Sequence, residues 1–222
     1  MNINNRLIKH YLKNVLFITG TACAGKSTMA KMLSDTYGLI LCGENYDCIP
    51  DGMITKEKYP NIYYWQTITD WQEYINKDPD EYNKWMMDCL KEYEEFEITY
   101  LIHISKSQKV IVDTGLSLRT LREIADYNQI AVMLSPLSLS VGSYFDRSDP
   151  DKICIKEQIS KAENPEKTME NWLACVAKTN SHIYNEWVNS GFFSIVREDA
   201  AADTKQEMFK TLSKHFGFDA IT

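Results

Sequence analysis

The chain has 222 residues, of which 44% are hydrophobic and 25% charged. That is enough apolar surface to offset the entropy of folding, which excludes a disordered chain and fits one sizeable domain better than two. With a formal net charge of -7 and only Arg6, Arg119, Arg122, Arg147 and Arg197 as arginines, a surface built to neutralise a nucleic-acid backbone is excluded, whereas a small anion held locally is not.

In chain order, residues 14–19 (Asn-Val-Leu-Phe-Ile-Thr) are an apolar run of β-formers that predicts a buried strand. The run is too short to span a bilayer and no signal-peptide pattern precedes it, so a cytoplasmic protein without membrane contact is expected. Cys23, Cys42, Cys48, Cys89, Cys154 and Cys175 include no C-x-x-C pair and read as reduced thiols. From Lys26 onward, Met29, Ala30, Met32, Leu33 and Tyr37 recur at helical spacing, and Gly38 supplies a helix end. Residues 39–42 read as a second strand. Residues 43–69, with Pro50, Pro60 and the aromatics Tyr59, Tyr63, Tyr64 and Trp65, have no clean period and read as a long segment that is functional or partly structured.

Asp78, Pro79 and Glu81 place an N-cap, a first-turn proline and an N3 acid at the start of a helix. Its apolar face runs through Tyr82, Met86, Cys89 or Leu90, Tyr93, Phe96, Tyr100 and Ile104. Val110-Ile111-Val112-Asp113 is a third strand ending in an acid, a short helix follows through Asp126, and residues 130–134 are a fourth strand. Residues 137–145 are read as helical. Asp149-Pro150 and Asn164-Pro165 each combine an N-cap with proline at the first helical position. The second pair opens a long helix carrying Met169, Trp172, Leu173, Val176, Asn180, Ile183 and Trp187 along one side. Residues 192–196 read as a fifth strand and 205–216 as a closing helix. The alternation predicts a three-layer α/β domain over residues 1–222, with a mostly parallel five-stranded sheet and helices on both faces.

The most specific signal is Gly20-Thr21-Ala22-Cys23-Ala24-Gly25-Lys26-Ser27, which satisfies G-x-x-x-x-G-K-[ST] at every fixed position, after a predicted strand and at the opening of a predicted helix. A triphosphate can be surrounded only by a loop whose N–H groups point inward, which calls for glycine and small neighbours. Lys26 then meets the β and γ phosphates and the Ser27 hydroxyl ligates Mg²⁺. Thr28 completes the nucleotide-binding stretch and starts the helix rather than holding metal. Asp113, at the end of an apolar strand, fits the acid that such a site needs beside its magnesium; the alternative is a helix N-cap.

The loop motif, the hydrophobic strand ending in Asp113 and the chain length together resemble the P-loop kinase group, which includes nucleoside monophosphate, shikimate and gluconate kinases and chloramphenicol phosphotransferase. The resemblance implies a P-loop NTPase fold with a helical lid over residues 142–164 and an acceptor segment over residues 43–69. It implies that an acid after the second strand orients the acceptor hydroxyl, which points to Asp47, with Glu44 as competitor. It also implies a lid arginine over the transferring phosphoryl group, for which Arg147 is the candidate. One lid arginine, supplemented by Lys152 and Lys156, favours transfer to a hydroxyl over phosphate-to-phosphate transfer. Arg119 and Arg122 are within reach of an anionic acceptor if they are not simply solvated, and residues 197–199 fall where related folds contact the base.

The expectation is therefore a kinase using ATP or another nucleoside triphosphate, with Mg²⁺, on a small-molecule acceptor. Lys26, Asp47, Asp113 and Arg147 are its catalytic candidates, Ser27 and Asp113 its metal ligands, and Glu44, Asp47 and Arg119 its acceptor contacts. A nucleotide switch or slow NTPase acting through a protein partner, and a kinase of nucleic-acid ends, are the alternatives.

Overall fold

The computed structural model describes residues 4–43, 46–146, 149–197 and 204–218. Its five strands are β1 (Val15–Gly20), β2 (Ile40–Cys42), β3 (Val110–Asp113), β4 (Ile130–Leu134) and β5 (Phe193–Val196). They form one sheet in the order β2-β3-β1-β4-β5, and all four pairings are parallel. The expected sheet is thus present, and it is parallel throughout.

The strands are apolar without interruption because both faces are covered. Alternate residues serve opposite faces. Val15, Phe17, Val110, Val112, Ile130 and Val132 pack with helices α1 (Asn5–Tyr11), α5 (Pro79–Ile104), α6 (Leu118–Ile124) and α9 (Pro165–Val188). Leu16, Ile18, Ile111, Ala131 and Met133 pack with α2 (Lys26–Tyr37) and α10 (Lys205–His215). Three layers result, helix on sheet on helix.

The helix ends follow local chemistry. Gly38 closes α2 in the left-handed conformation. Asp78 caps α5 through the Asp80 N–H at 2.9 Å, and Asn164 caps α9 through the Lys167 N–H at 3.1 Å. Asp149 precedes α8 (Pro150–Ser160) without a side-chain cap bond; its carboxylate pairs with Lys152. The helix expected over residues 137–145 is a shorter α7 (Leu137–Gly142) followed by a 3₁₀ turn (Tyr144–Asp146).

Two short helices lie where no period was visible, α3 (Pro60–Gln66) and α4 (Trp71–Ile75). With α8, α9 and the first turns of α5 they enclose a second apolar cluster around Tyr74, Tyr82 and the fully buried Trp172. No helix among the described residues is long and apolar enough to cross a membrane. All six cysteines are free thiols, and burial pushes Cys42 and Cys89 up to about 12 and Cys48 and Cys175 up to about 11.

Candidate functional site

β1 lies at the centre of the sheet, and the chain leaves it toward β2 on one side while β4 pairs on the other. In open parallel sheets the crevice beyond the strand carboxyl ends at such a reversal is where ligands bind. At this position β1 ends on Gly20, the chain turns, and α2 begins at Lys26. The turn holds Gly20 at φ 126°, Cys23 at φ 60° and Gly25 at φ 91°. A Cβ on Gly20 would lie 1.9 Å from the Met133 carbonyl oxygen of β4, so only glycine fits.

The loop is tied at successive residues. The Thr21 hydroxyl, fully buried, accepts from the Ser135 N–H at 2.7 Å, and Ser135 Oγ donates to the Ala22 carbonyl at 2.6 Å. The Ala22 N–H donates to Asn180 Oδ1 at 3.0 Å; Asn180 Nδ2 donates to the Val176 carbonyl at 2.9 Å, which fixes the way the amide faces. Arg197 Nη1 donates to the Cys23 carbonyl at 3.2 Å. Ala24 is buried among the apolar residues under α2. Gly25 precedes the helix with no side-chain cap bond, so no cap side chain competes for the first-turn N–H groups, which an α-helix leaves without internal partners.

β3 neighbours β1 with Asp113 in register with Ile18, which sets the acid beside the loop. Ser27 Oγ donates to Asp113 Oδ2 at 2.8 Å. Lys26 Nζ donates to the Thr21 carbonyl at 3.0 Å and stands 3.9 Å from Asp113 Oδ1. A hydroxyl and a carboxylate in contact beside a helix N-terminus are hard oxygen donors of the kind Mg²⁺ takes, in ones and twos, alongside phosphate and water. The pair therefore fits the ion. Among the described residues no group of three or more His, Cys, Asp or Glu side chains is placed to hold a metal by itself. Thr28 is exposed on the first turn of α2.

The chain matches no protein-family model and no curated protein sequence. The reading of the site therefore rests on its residues.

Other candidates are more dispersed. Asp47 is exposed, accepts from the Ile49 N–H at 3.4 Å and lines an open cleft of 540 Å³. Glu44 and Arg147 lie outside the described residues. Arg119 is 89% exposed and pairs with Glu123 at 3.5 Å; it is not brought together with Ser27, Lys26 or Asp113. Arg122 donates to the Ser190 carbonyl at 2.8 Å, tying α6 to the end of α9. Lys152 and Lys156 border a hollow of 320 Å³ next to Phe145. Tyr64 and Trp65 pack against Tyr74 and Trp85.

Three residues around the site were not singled out from sequence for it. Ser135 and Asn180 tie the loop from two different parts of the chain. The third is Glu97 of α5, 7% exposed, which accepts from Thr114 Oγ1 at 2.5 Å next to Asp113. Burial pushes its carboxyl up to about 7, opposed by the Thr114 bond and reinforced by the Glu94 and Asp113 charges. Asn180 and Glu97 share one sequence signal, a polar residue inside an otherwise apolar helical stripe.

Because the raised value belongs to the folded chain, the unfolded chain loses this proton first as pH rises from 4.5 toward 7. Folding stability should therefore fall across that window, on the order of 3 kcal/mol in all, and level off above it. Glu97→Gln keeps the volume and a hydrogen-bonding partner for Thr114 but does not titrate. Urea unfolding at pH 5 and pH 8 should show the variant gaining on the wild type at the higher pH; equal differences at both would contradict the assignment.

Proposed function

We propose that the chain is a P-loop phosphotransferase that moves the γ-phosphoryl group of a magnesium-bound nucleoside triphosphate, ATP being the first candidate, to a hydroxyl of a small molecule. The observation that carries this reading is the Ser27–Asp113 contact of 2.8 Å at the start of α2, where a glycine-held loop, a lysine and a strand-end acid converge. That convergence unites residues 86 positions apart in sequence that the chemistry wants in one place.

In this reading the first-turn N–H groups of α2 and the positive end of its dipole bind the phosphate oxygens. Lys26 exchanges the Thr21 carbonyl for oxygens of the β and γ phosphates, and Ser27 and Asp113 hold Mg²⁺. The ion, when bound, neutralises charge on the phosphate oxygens. Asn180, Ser135 and Arg197 keep the loop in its phosphate-ready shape, so that little ordering remains for binding to impose. Asp47 orients the acceptor and takes its proton as the acceptor oxygen bonds to phosphorus and the bond to the β-phosphate oxygen breaks, releasing the diphosphate. The segment over residues 142–164, which includes α8, acts as the lid, with Arg147 as its arginine.

Incubation of the purified chain with Mg²⁺ and γ-labelled ATP across a panel of hydroxyl compounds should place label on an organic product. Label released only as inorganic phosphate would support a slow NTPase instead. Absence of either would contradict the reading.

A further inference from the structure

The segment after β2 leaves the sheet at the strand carboxyl ends and, with Gln66 and Tyr93, encloses the 540 Å³ cleft, a volume ordinary for a small-molecule site. Asp47 and Asp51 supply its charges, Tyr46 and Tyr93 its aromatic walls, and Ile49 and Ile54 apolar surface. No lysine or arginine lines it among the described residues.

The segment that lines the cleft leaves β2 beside the magnesium pair proposed above, Cys42 being in register with Val112, the residue before Asp113. The Tyr46 hydroxyl is buried without a hydrogen bond of ordinary geometry and faces Glu97. Glu97 in turn bonds Thr114, and Thr114 follows Asp113 in the chain. A molecule in the cleft would thus sit on the acceptor side of the transferring group.

We propose that this cleft binds the phosphoryl acceptor, and that the acceptor carries no phosphate or carboxylate: it is a neutral or amine-bearing hydroxyl compound of sugar or nucleoside size. The inference rests on the phosphotransferase reading and adds the charge class. An anionic acceptor would set its charge against Asp47 and Asp51 with no cation lining the cleft to offset them, whereas an ammonium group meets two carboxylates. The two tyrosines and two isoleucines suit the apolar face of a sugar or a base.

The test is label transfer from γ-labelled ATP to acceptors matched in all but charge: a hexose, its 2-amino derivative, its aldonic acid and its phosphomonoester, then a nucleoside, its amino derivative and its 5′-monophosphate. Transfer to neutral or amine members should exceed that to their anionic counterparts by about tenfold or more in kcat/KM. Better use of the anionic members would overturn the charge class and leave the phosphotransferase reading standing. Label on no organic product would remove both. As a check on location, Asp51→Asn should lower the amine-to-neutral ratio about threefold or more, with the KM for ATP unchanged. A ratio unmoved by that substitution would place the acceptor outside this cleft and overturn the proposal.

Discussion

Asp113→Asn is expected to lower phosphoryl transfer, to acceptor or to water, by about 10²–10³-fold, the usual cost of removing a charge-stabilising group from such a site. The substitution preserves volume at the end of β3 and keeps a side-chain oxygen for the Ser27 hydroxyl, now 2.8 Å from the carboxylate. It removes the charge that faces Lys26 at 3.9 Å. Two binding measurements separate the metal role from a structural one. ATP without magnesium should bind the variant at least as well as the wild type, because a carboxylate near the phosphates has gone, while the gain that magnesium gives should be lost. Equal magnesium dependence in both proteins would remove Asp113 from the metal site.

Gly20→Ala is expected to cost more stability than any other glycine substitution in the loop. The added Cβ would fall 1.9 Å from the Met133 carbonyl oxygen and 2.7 Å from its carbon, both backbone atoms of the neighbouring strand. Gly20 and Met133 are partners in the β1–β4 register, so relief requires the two central strands to part at the base of the loop. The positive φ of 126° adds backbone strain. A loss of about 3 kcal/mol or more follows, or no folded protein. Gly191→Ala is the control. Its φ of 77° is also left-handed, but nothing lies within 4 Å of the added carbon, so about 1 kcal/mol is expected. Equal unfolding midpoints for the two variants would show that the contact with Met133 is not what requires glycine.

The sheet could be read in advance because a strand buried on both faces writes itself as an apolar run. β1, β3 and β4 are such runs, and their partners impose no change of pattern. Helix α3 was hidden because its N-terminus is capped from another element: Glu92 of α5 accepts from the Asn61 and Ile62 N–H groups, 31 and 30 positions away. A cap supplied across the fold leaves no N-cap residue in the local sequence, and Pro60 at the first helical position was the one local trace. The face of α5 is broader for a related reason. Its far half packs the expected Tyr100 and Ile104 partly buried against the core and buries Glu97 and Leu101 as well, Thr114 at the end of β3 providing a partner for the carboxylate.

The phosphate loop was legible because its chemistry demands fixed residue types at fixed spacing. The residues that hold it were less so, because Asn180 and Ser135 reach it through hydrogen bonds from elements far along the chain, and Arg197, expected near the base, bonds the loop carbonyl of Cys23. Asn180 did stand out within the apolar stripe of α9, but a stripe does not say which atom the amide meets. The acceptor side was the least legible. A segment of mixed composition forms an open cleft whose character is set by what is absent from its lining as much as by Asp47.

The central claim is that the loop at residues 20–28 binds a magnesium nucleoside triphosphate. Titration calorimetry of ATP into the full chain, with magnesium and with a chelator, and into Lys26→Ala, tests it most directly. Binding should be present, strengthened by magnesium, and weakened about 30–100-fold by the lysine substitution, the worth of one charge-assisted phosphate contact. A folded wild-type chain that binds no nucleotide, or binds it equally well without Lys26, would contradict the account.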